Sequence, residues 1–293
     1  MKTFFWALVL AALTCFRASA QVKVEVVLEQ EQFLPSEAVP VAVRITNRSG
    51  QPLHLGTEAN WLTFNVESAD GEIVAKNAEV PVAGEFDLSS SQMATKRVDL
   101  APYFGITKPG RYRIIATVRI KDWRAETTSA PKNFDVITGA KLWSQDFGLP
   151  VAAGATNLTP EVRKYTLQKA NYLRTQLRLY VEVSDAAEAQ VFKVVNIGKT
   201  VSFSSPETQL DRHSNLHVLW QSGAAYFTYA VVNPDGGLVQ QEVYDNAPPG
   251  PRPRLNMADD GTVTVYGGVR RVKTEPMPMV KSPNELPPAE PQP

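Results

Sequence analysis

Valine at every second position opens the readable pattern of this chain. Val22, Val24 and Val26 alternate with Lys23 and Glu25, the period of a strand with one face buried. The same period returns at Val41, Val43 and Ile45, and Asn47-Arg48-Ser49-Gly50 follows with the chemistry of a turn. Trp61, Phe64 and Val66 continue it, and Asp70-Gly71 predicts a tight turn into Ile73 and Val74. After Pro109-Gly110, the residues Tyr112, Ile114, Ala116 and Val118 alternate, and a last short strand is predicted over 133–138. About seven short strands punctuated by Gly, Pro, Asn and Asp predict an antiparallel β-sandwich over 21–138.

The pattern changes character near Gly139-Ala140. Leu142, Trp143, Phe147 and Leu149 make an aromatic and apolar cluster ending at Pro150. Thr159-Pro160-Glu161 has the composition of a helix start, an N-cap threonine followed by proline and an acid, and predicts a short helix over about 160–170. Strict alternation at Leu177, Leu179, Val181 and Val183 then declares a strand. From Val191 onward, apolar stretches around 191–197, 216–221, 226–232, 239–244 and 262–269 are separated by Gly198, Ser222-Gly223, Asn233-Pro234-Asp235-Gly236-Gly237 and Asp259-Asp260-Gly261. This is the spacing of an antiparallel meander. The fold class is therefore all-β, with a second β domain over 139–273. The prolines of the final segment, 274–293, are too frequent for helix or sheet and predict a disordered tail.

Composition changes the picture chiefly at the start of the chain. Lys2, the apolar run from Phe4 to Leu13, and Ala18-Ser19-Ala20 read as a secretory signal peptide over 1–20, cut before Gln21. Its loss removes Cys15, the sole cysteine, and so any disulfide or thiolate metal site in the exported chain. Thr14 before Cys15 departs from a lipid-attachment signal, which favours release over anchoring. Loss of Lys2 and Arg17 tips the balance of 30 basic and 30 acidic side chains slightly acidic, which gives no electrostatic ground for binding nucleic acid. No later apolar run reaches the roughly 18 residues that a spanning helix needs, so no transmembrane segment is expected after the signal. The expected location is the periplasm or the outside of the cell.

Two stretches carry resemblances. Residues 33–50, FLPSEAVPVAVRITNRSG, and 109–118, PGRYRIIATV, are similar to the immunoglobulin-like sandwiches of secreted bacterial proteins, including macroglobulin-like and proteinase-inhibitor-like domains. The likeness covers most of 22–138 and implies architecture, with Tyr112 in a tyrosine-corner role. Asp211 to Trp220, DRHSNLHVLW, together with Tyr226 to Leu238, YFTYAVVNPDGGL, resembles a β-propeller blade, with Ser214 where such blades carry glycine. The second stretch is too short for the four blades of about 40 residues that closure takes. It predicts an open meander or second sandwich of blade-like hairpins.

Candidate chemistry is sparse. His213 and His217 are four apart, the spacing that puts two zinc ligands on one helix face. On a strand the same spacing separates them by on the order of 13 Å, too far for one ion. With Asp211 they form the one candidate acid-base or metal cluster, and the turn of a blade explains the same letters. There is no G-x-S-x-G elbow, no thiol and no phosphate-binding loop. Trp220, Tyr226 and Tyr229, with His213 and His217, form the candidate ligand-binding set, whose rings would stack on a sugar or peptide if exposed. No cofactor and no bound metal are expected. These readings point to an exported, non-catalytic binding, scaffolding or envelope-interaction protein, its partner a protein or polysaccharide of the cell envelope. The alternatives are a protease-inhibitor-like or macroglobulin-like module and a hydrolase acting near Asp211, His213 and His217.

Overall fold

The computed structural model describes residues 21–149 and 161–271. The signal segment, the helix-start residues Thr159 and Pro160, and the Pro-rich tail lie outside the described residues. The architecture is all-β, and no α-helix occurs among the described residues.

Ten strands build the first unit. They are β1 (Val22–Leu28), β2 (Gln32–Phe33), β3 (Pro40–Asn47), β4 (Leu53–Leu55), β5 (Leu62–Ser68) and β6 (Phe86–Leu88). The rest are β7 (Met93–Asp99), β8 (Gly110–Ile120), β9 (Ala125–Thr128) and β10 (Lys132–Val136). One sheet has the order β1-β3-β7 and the other β2-β10-β8-β5, with β9 on β8 and a small β4-β6 pair beside them. Because side chains alternate, the valines of β1, the Val41-Val43-Ile45 face of β3 and the Ile114-Ala116-Val118 face of β8 turn into one shared core. Tyr112 closes one end: its ring stacks on Phe134 at 5.4 Å and its hydroxyl donates to the Lys108 carbonyl at 2.7 Å. Asn47 closes another. It is fully buried, its amide donates to the Gln51 and Leu88 carbonyls, and its oxygen accepts from the Ser49 N–H and hydroxyl. The sequon-like Asn47-Arg48-Ser49 is thus a turn that fastens itself from within.

The second unit begins with β11 (Ala140–Gly148), β12 (Val162–Tyr172), β13 (Gln176–Asp185) and β14 (Val191–Thr200), a four-stranded meander. A second meander follows with β15 (Glu207–Leu210), β16 (Leu216–Gln221), β17 (Tyr226–Val232) and β18 (Leu238–Asp245). The hairpin β19 (Arg254–Met257) and β20 (Val263–Tyr266) comes next, and β21 (Val269–Arg270) returns to pair with β18.

The helix expected over 160–170 is strand β12 instead. Every residue from Arg163 to Tyr172 pairs with β13, and Tyr165 and Leu167 enter the same core as Val181 and Val183. A local N-cap signal of about 1 kcal/mol does not compete with a long ladder and two buried apolar side chains.

The two meanders pack face to face. Tyr165, Leu167, Val181 and Ile197 of one meet Leu216, Val218, Trp220 and Val232 of the other. The outer face of the second meander is also covered, since Leu219, Phe227, Tyr229 and Val231 pack with Leu255 and Val265 of the hairpin. Strands β16 and β17 are consequently buried on both faces, which is why their sequences read as continuous apolar runs.

The outer face of the first meander meets the sandwich. Leu34 and Ile137 pack with Ala170, Tyr180 and Val194, and Glu37 forms a parallel bridge to Val194. The Glu31 N–H donates to the Tyr172 hydroxyl at 3.3 Å, and the Leu173 N–H to Gln32 Oε1 at 2.6 Å.

Candidate functional site

Asp211 organises the turn into β16. Its Oδ1 accepts from the backbone N–H groups of His213 and Asn215, both at 2.8 Å, and its Oδ2 from the Asn215 amide at 2.8 Å. Ser214 takes a left-handed φ of 62°, a conformation that favours glycine. Burial pushes the Asp211 carboxyl up, but the Asn215 side chain and N–H, with His217 and the His213 N–H, outweigh it and hold the group below its usual range.

From this turn β16 carries His217 into the interior at 6% exposure. Its Nε2 lies 3.2 Å from Asp211 Oδ2 and its Nδ1 2.7 Å from the Tyr229 hydroxyl. Both ring nitrogens are therefore engaged by the protein, and the imidazole stitches the turn to β17. Burial, with the charges of Glu242 and Asp211, pushes the Tyr229 hydroxyl up to about 12, so it remains a donor.

The remaining candidates lie apart. Trp220 is 1% exposed in the core between the meanders, its Nε1 donating to the Lys199 carbonyl at 2.7 Å. Tyr226 is 37% exposed at the start of β17, with the Arg271 guanidinium 5.2 Å above its ring. His213 is on the surface. Of the five predicted ligand-binding residues, His217 and Tyr229 are brought into contact, Trp220 is enclosed, and only His213 and Tyr226 face solvent. Among the described residues no group of three or more His, Cys, Asp or Glu side chains is placed to hold a metal ion.

A different concave region forms where the sandwich meets the first meander. One cavity of about 430 Å³ is lined by Gln30, Glu37, Pro40, Tyr172, Arg178 and Asn196 among others. A neighbouring one of about 340 Å³ is lined by Ser36, Pro102, Phe104, Ile106, Val191 and Phe192 among others. Ala38 and Lys193 line both, so the two are halves of one groove along the junction. A groove between two packed units is where small ligands are most often held.

The two halves differ in chemistry. In the polar half, Glu37 is 6% exposed and fully engaged: Oε1 accepts from the Gln30 amide at 3.0 Å and Oε2 from the Leu34 N–H at 2.7 Å. Burial nevertheless raises its pKa, those two bonds and the more distant Arg178 charge opposing the rise. Arg178 lies flat over Tyr172, its guanidinium carbon 3.4 Å from the ring centroid, and its one side-chain partner is Gln176 at 3.5 Å. Among the described residues no carboxylate is within ion-pair distance of it. Beneath them the Tyr180 hydroxyl is wholly buried and has no hydrogen-bond partner. Burial and the Glu37 charge push it up to about 12, opposed by the charge and the close approach of the Arg178 guanidinium. In the apolar half, Phe104 and Ile106 are buried and Phe192 is 40% exposed beneath the Arg163 guanidinium.

None of these groove residues stands out in the sequence. Arg178 and Tyr180 occupy the alternate positions of a strand whose other positions are Leu177, Leu179 and Val181, a pattern that normally marks a solvated face.

No family model matches the chain, and no curated protein does. Among solved structures, the sporulation control protein Spo0M from Bacillus subtilis is similar with a TM-score of 0.31 and 11% identity, covering 61% of this chain and 89% of that one. A likeness of that size carries no argument about architecture or role.

Proposed function

We propose that the chain is an exported, non-catalytic binding protein of the cell envelope whose ligand occupies the groove between the sandwich and the first meander. The observation that carries this reading is the two-part cavity joined at Ala38 and Lys193, with an arginine held flat on its wall and without a carboxylate partner among the described residues. Export rests on the signal-like sequence of the first twenty residues. The engaged state of both His217 nitrogens supports a structural role for the Asp211 turn and directs attention to the groove.

Blocking the groove tests the reading. Ala38 is exposed at its midpoint, so Ala38→Trp fills it without disturbing a core. Saturation-transfer NMR against a panel of envelope-derived small molecules and oligosaccharides should find binders of the wild type that A38W loses. Binding of the same compounds to both proteins, or to neither, would count against the groove.

A further inference from the structure

The two ends of the groove differ in their side chains: Gln30, Glu37, Arg178 and Asn196 gather at one, and Pro102, Phe104, Ile106, Val191 and Phe192 at the other beside Ser36, Asp99 and Thr107. On this wall the Arg178 head group is held in place: stacking on Tyr172 orients the plane of its fork, its contact to Gln176 is long, and no carboxylate among the described residues is within ion-pair distance of it. A planar fork oriented by an aromatic ring and not yet spent is matched by a carboxylate, which it takes bidentately. Glu37 does not compete for the fork, because both of its oxygens already accept bonds from Gln30 and Leu34 and its side chain is enclosed. Tyr180 lies behind this wall, in the buried cluster with Leu34, Ala170 and Val194, and does not line the groove. Glu29, which also lines the cavity, is exposed at the rim, where solvent screens it. Beyond Ala38 the walls include Pro102, Ile106, Val191 and Phe192, an apolar strip flanked by Ser36, Asp99 and Thr107; the Asp99 carboxylate is already occupied, accepting from the Val39 and Ala101 N–H groups.

We propose that the groove binds a small amphipathic monocarboxylate, the carboxylate on Arg178 and the aliphatic body along the Ala38–Phe192 half. The inference rests on the reading of the groove as a binding site and adds the ligand class. Its size agrees with the cavities, since pockets of about 300 to 1,000 Å³ hold small organic ligands.

Calorimetric titration of the full chain with octanoate, octanamide, acetate and inorganic phosphate tests it. Octanoate is expected to bind about tenfold more tightly than octanamide, the value of a charge-assisted pair. Lengthening the acid from acetate toward octanoate should tighten binding by up to about fourfold per methylene until the apolar half is filled. Arg178→Gln should abolish the preference for acid over amide, and Arg178→Lys, which keeps the charge and loses the fork, should restore part of it. Unfolding midpoints of both variants, expected near wild type, confirm that the fold is intact.

Equal binding of acid and amide, with both lost in A38W, would overturn the carboxylate assignment while leaving the groove as the binding site. Phosphate competing as well as octanoate would reduce the site to a general anion contact and overturn the amphipathic ligand. Octanoate binding that survives in A38W lies elsewhere and overturns the inference outright, as does a failure of all four probes to bind.

Discussion

The Tyr229 hydroxyl lies 2.7 Å from Nδ1 of His217, joining neighbouring strands β17 and β16, and the opposite nitrogen of the same ring faces Asp211. A carboxylate, an imidazole and a phenol in line resemble catalytic machinery, but here each member's second partner is protein. The chain of bonds ties the entry turn of β16 to the strand beside it.

Breaking this chain should cost stability. Tyr229→Phe leaves a buried imidazole nitrogen without its partner and is expected to destabilise by about 1–3 kcal/mol. Asp211→Ala removes the acceptor of four bonds and should cost more. Urea midpoints of the two variants check the order, and a D211A protein as stable as the wild type would refute the role given to the turn. Because the folded Asp211 pKa is depressed, its contribution is complete above the unfolded value of 3.8 and disappears as the pH falls through the lower folded value. D211N should accordingly show a shallower loss of stability in strong acid.

Glu37 titrates with the opposite sign. Its folded pKa lies above the unfolded 4.5, so its favourable contribution is complete below 4.5 and is lost as the pH rises through the folded value. Glu37→Gln keeps an acceptor for the Leu34 N–H and removes the charge. Stability of E37Q measured from pH 4 to 7 is expected to rise relative to the wild type with increasing pH. A constant difference across that range would contradict the assignment.

Asn47 donates its amide to the Gln51 carbonyl and to the buried Leu88 carbonyl and accepts from the Ser49 N–H. Replacing it with alanine strands those groups and should cost about 2–4 kcal/mol. Denaturant unfolding followed by circular dichroism measures the loss. Sugar attachment at this asparagine is incompatible with the fold, since its amide nitrogen is spent inside.

Trp220 fills the space between the meanders, and its six-membered ring comes within 3.4 Å of the position a side chain on Gly198 would take. Trp220→Ala is expected to destabilise by about 3–5 kcal/mol. Acrylamide quenching should find this tryptophan protected in the wild type, when compared with W220F.

Much of the fold was legible because strands with one wet face print a period of two. Val22 to Val26, Val41 to Ile45 and Tyr112 to Val118 each turned the expected side inward. The expected turn and strand over Asp211 to Trp220 are present, with Ser214 in a left-handed conformation. Residues 160–170 were misread because the helix-start letters are local, whereas the partner that makes β12 a strand lies across a turn in β13. The groove was hidden for a related reason. Glu37 and Arg178 are separated by most of the sandwich in sequence, and nothing in either neighbourhood announces that Val194 will bridge to the loop carrying the glutamate.

That single parallel bridge has a further effect. Strand β14 is the last of its meander, and such a margin presents unpaired backbone groups to any other chain. Here Glu37 bridges it at Val194, so the sandwich covers that point of its neighbour's edge. The opposite margin, β11, has no such cover and is protected differently, by an irregular register at Lys141 and Trp143 and by the charges of Lys141 and Asp146. Separating the two units would free the backbone of β14 at Val194, a point that the intact protein keeps paired.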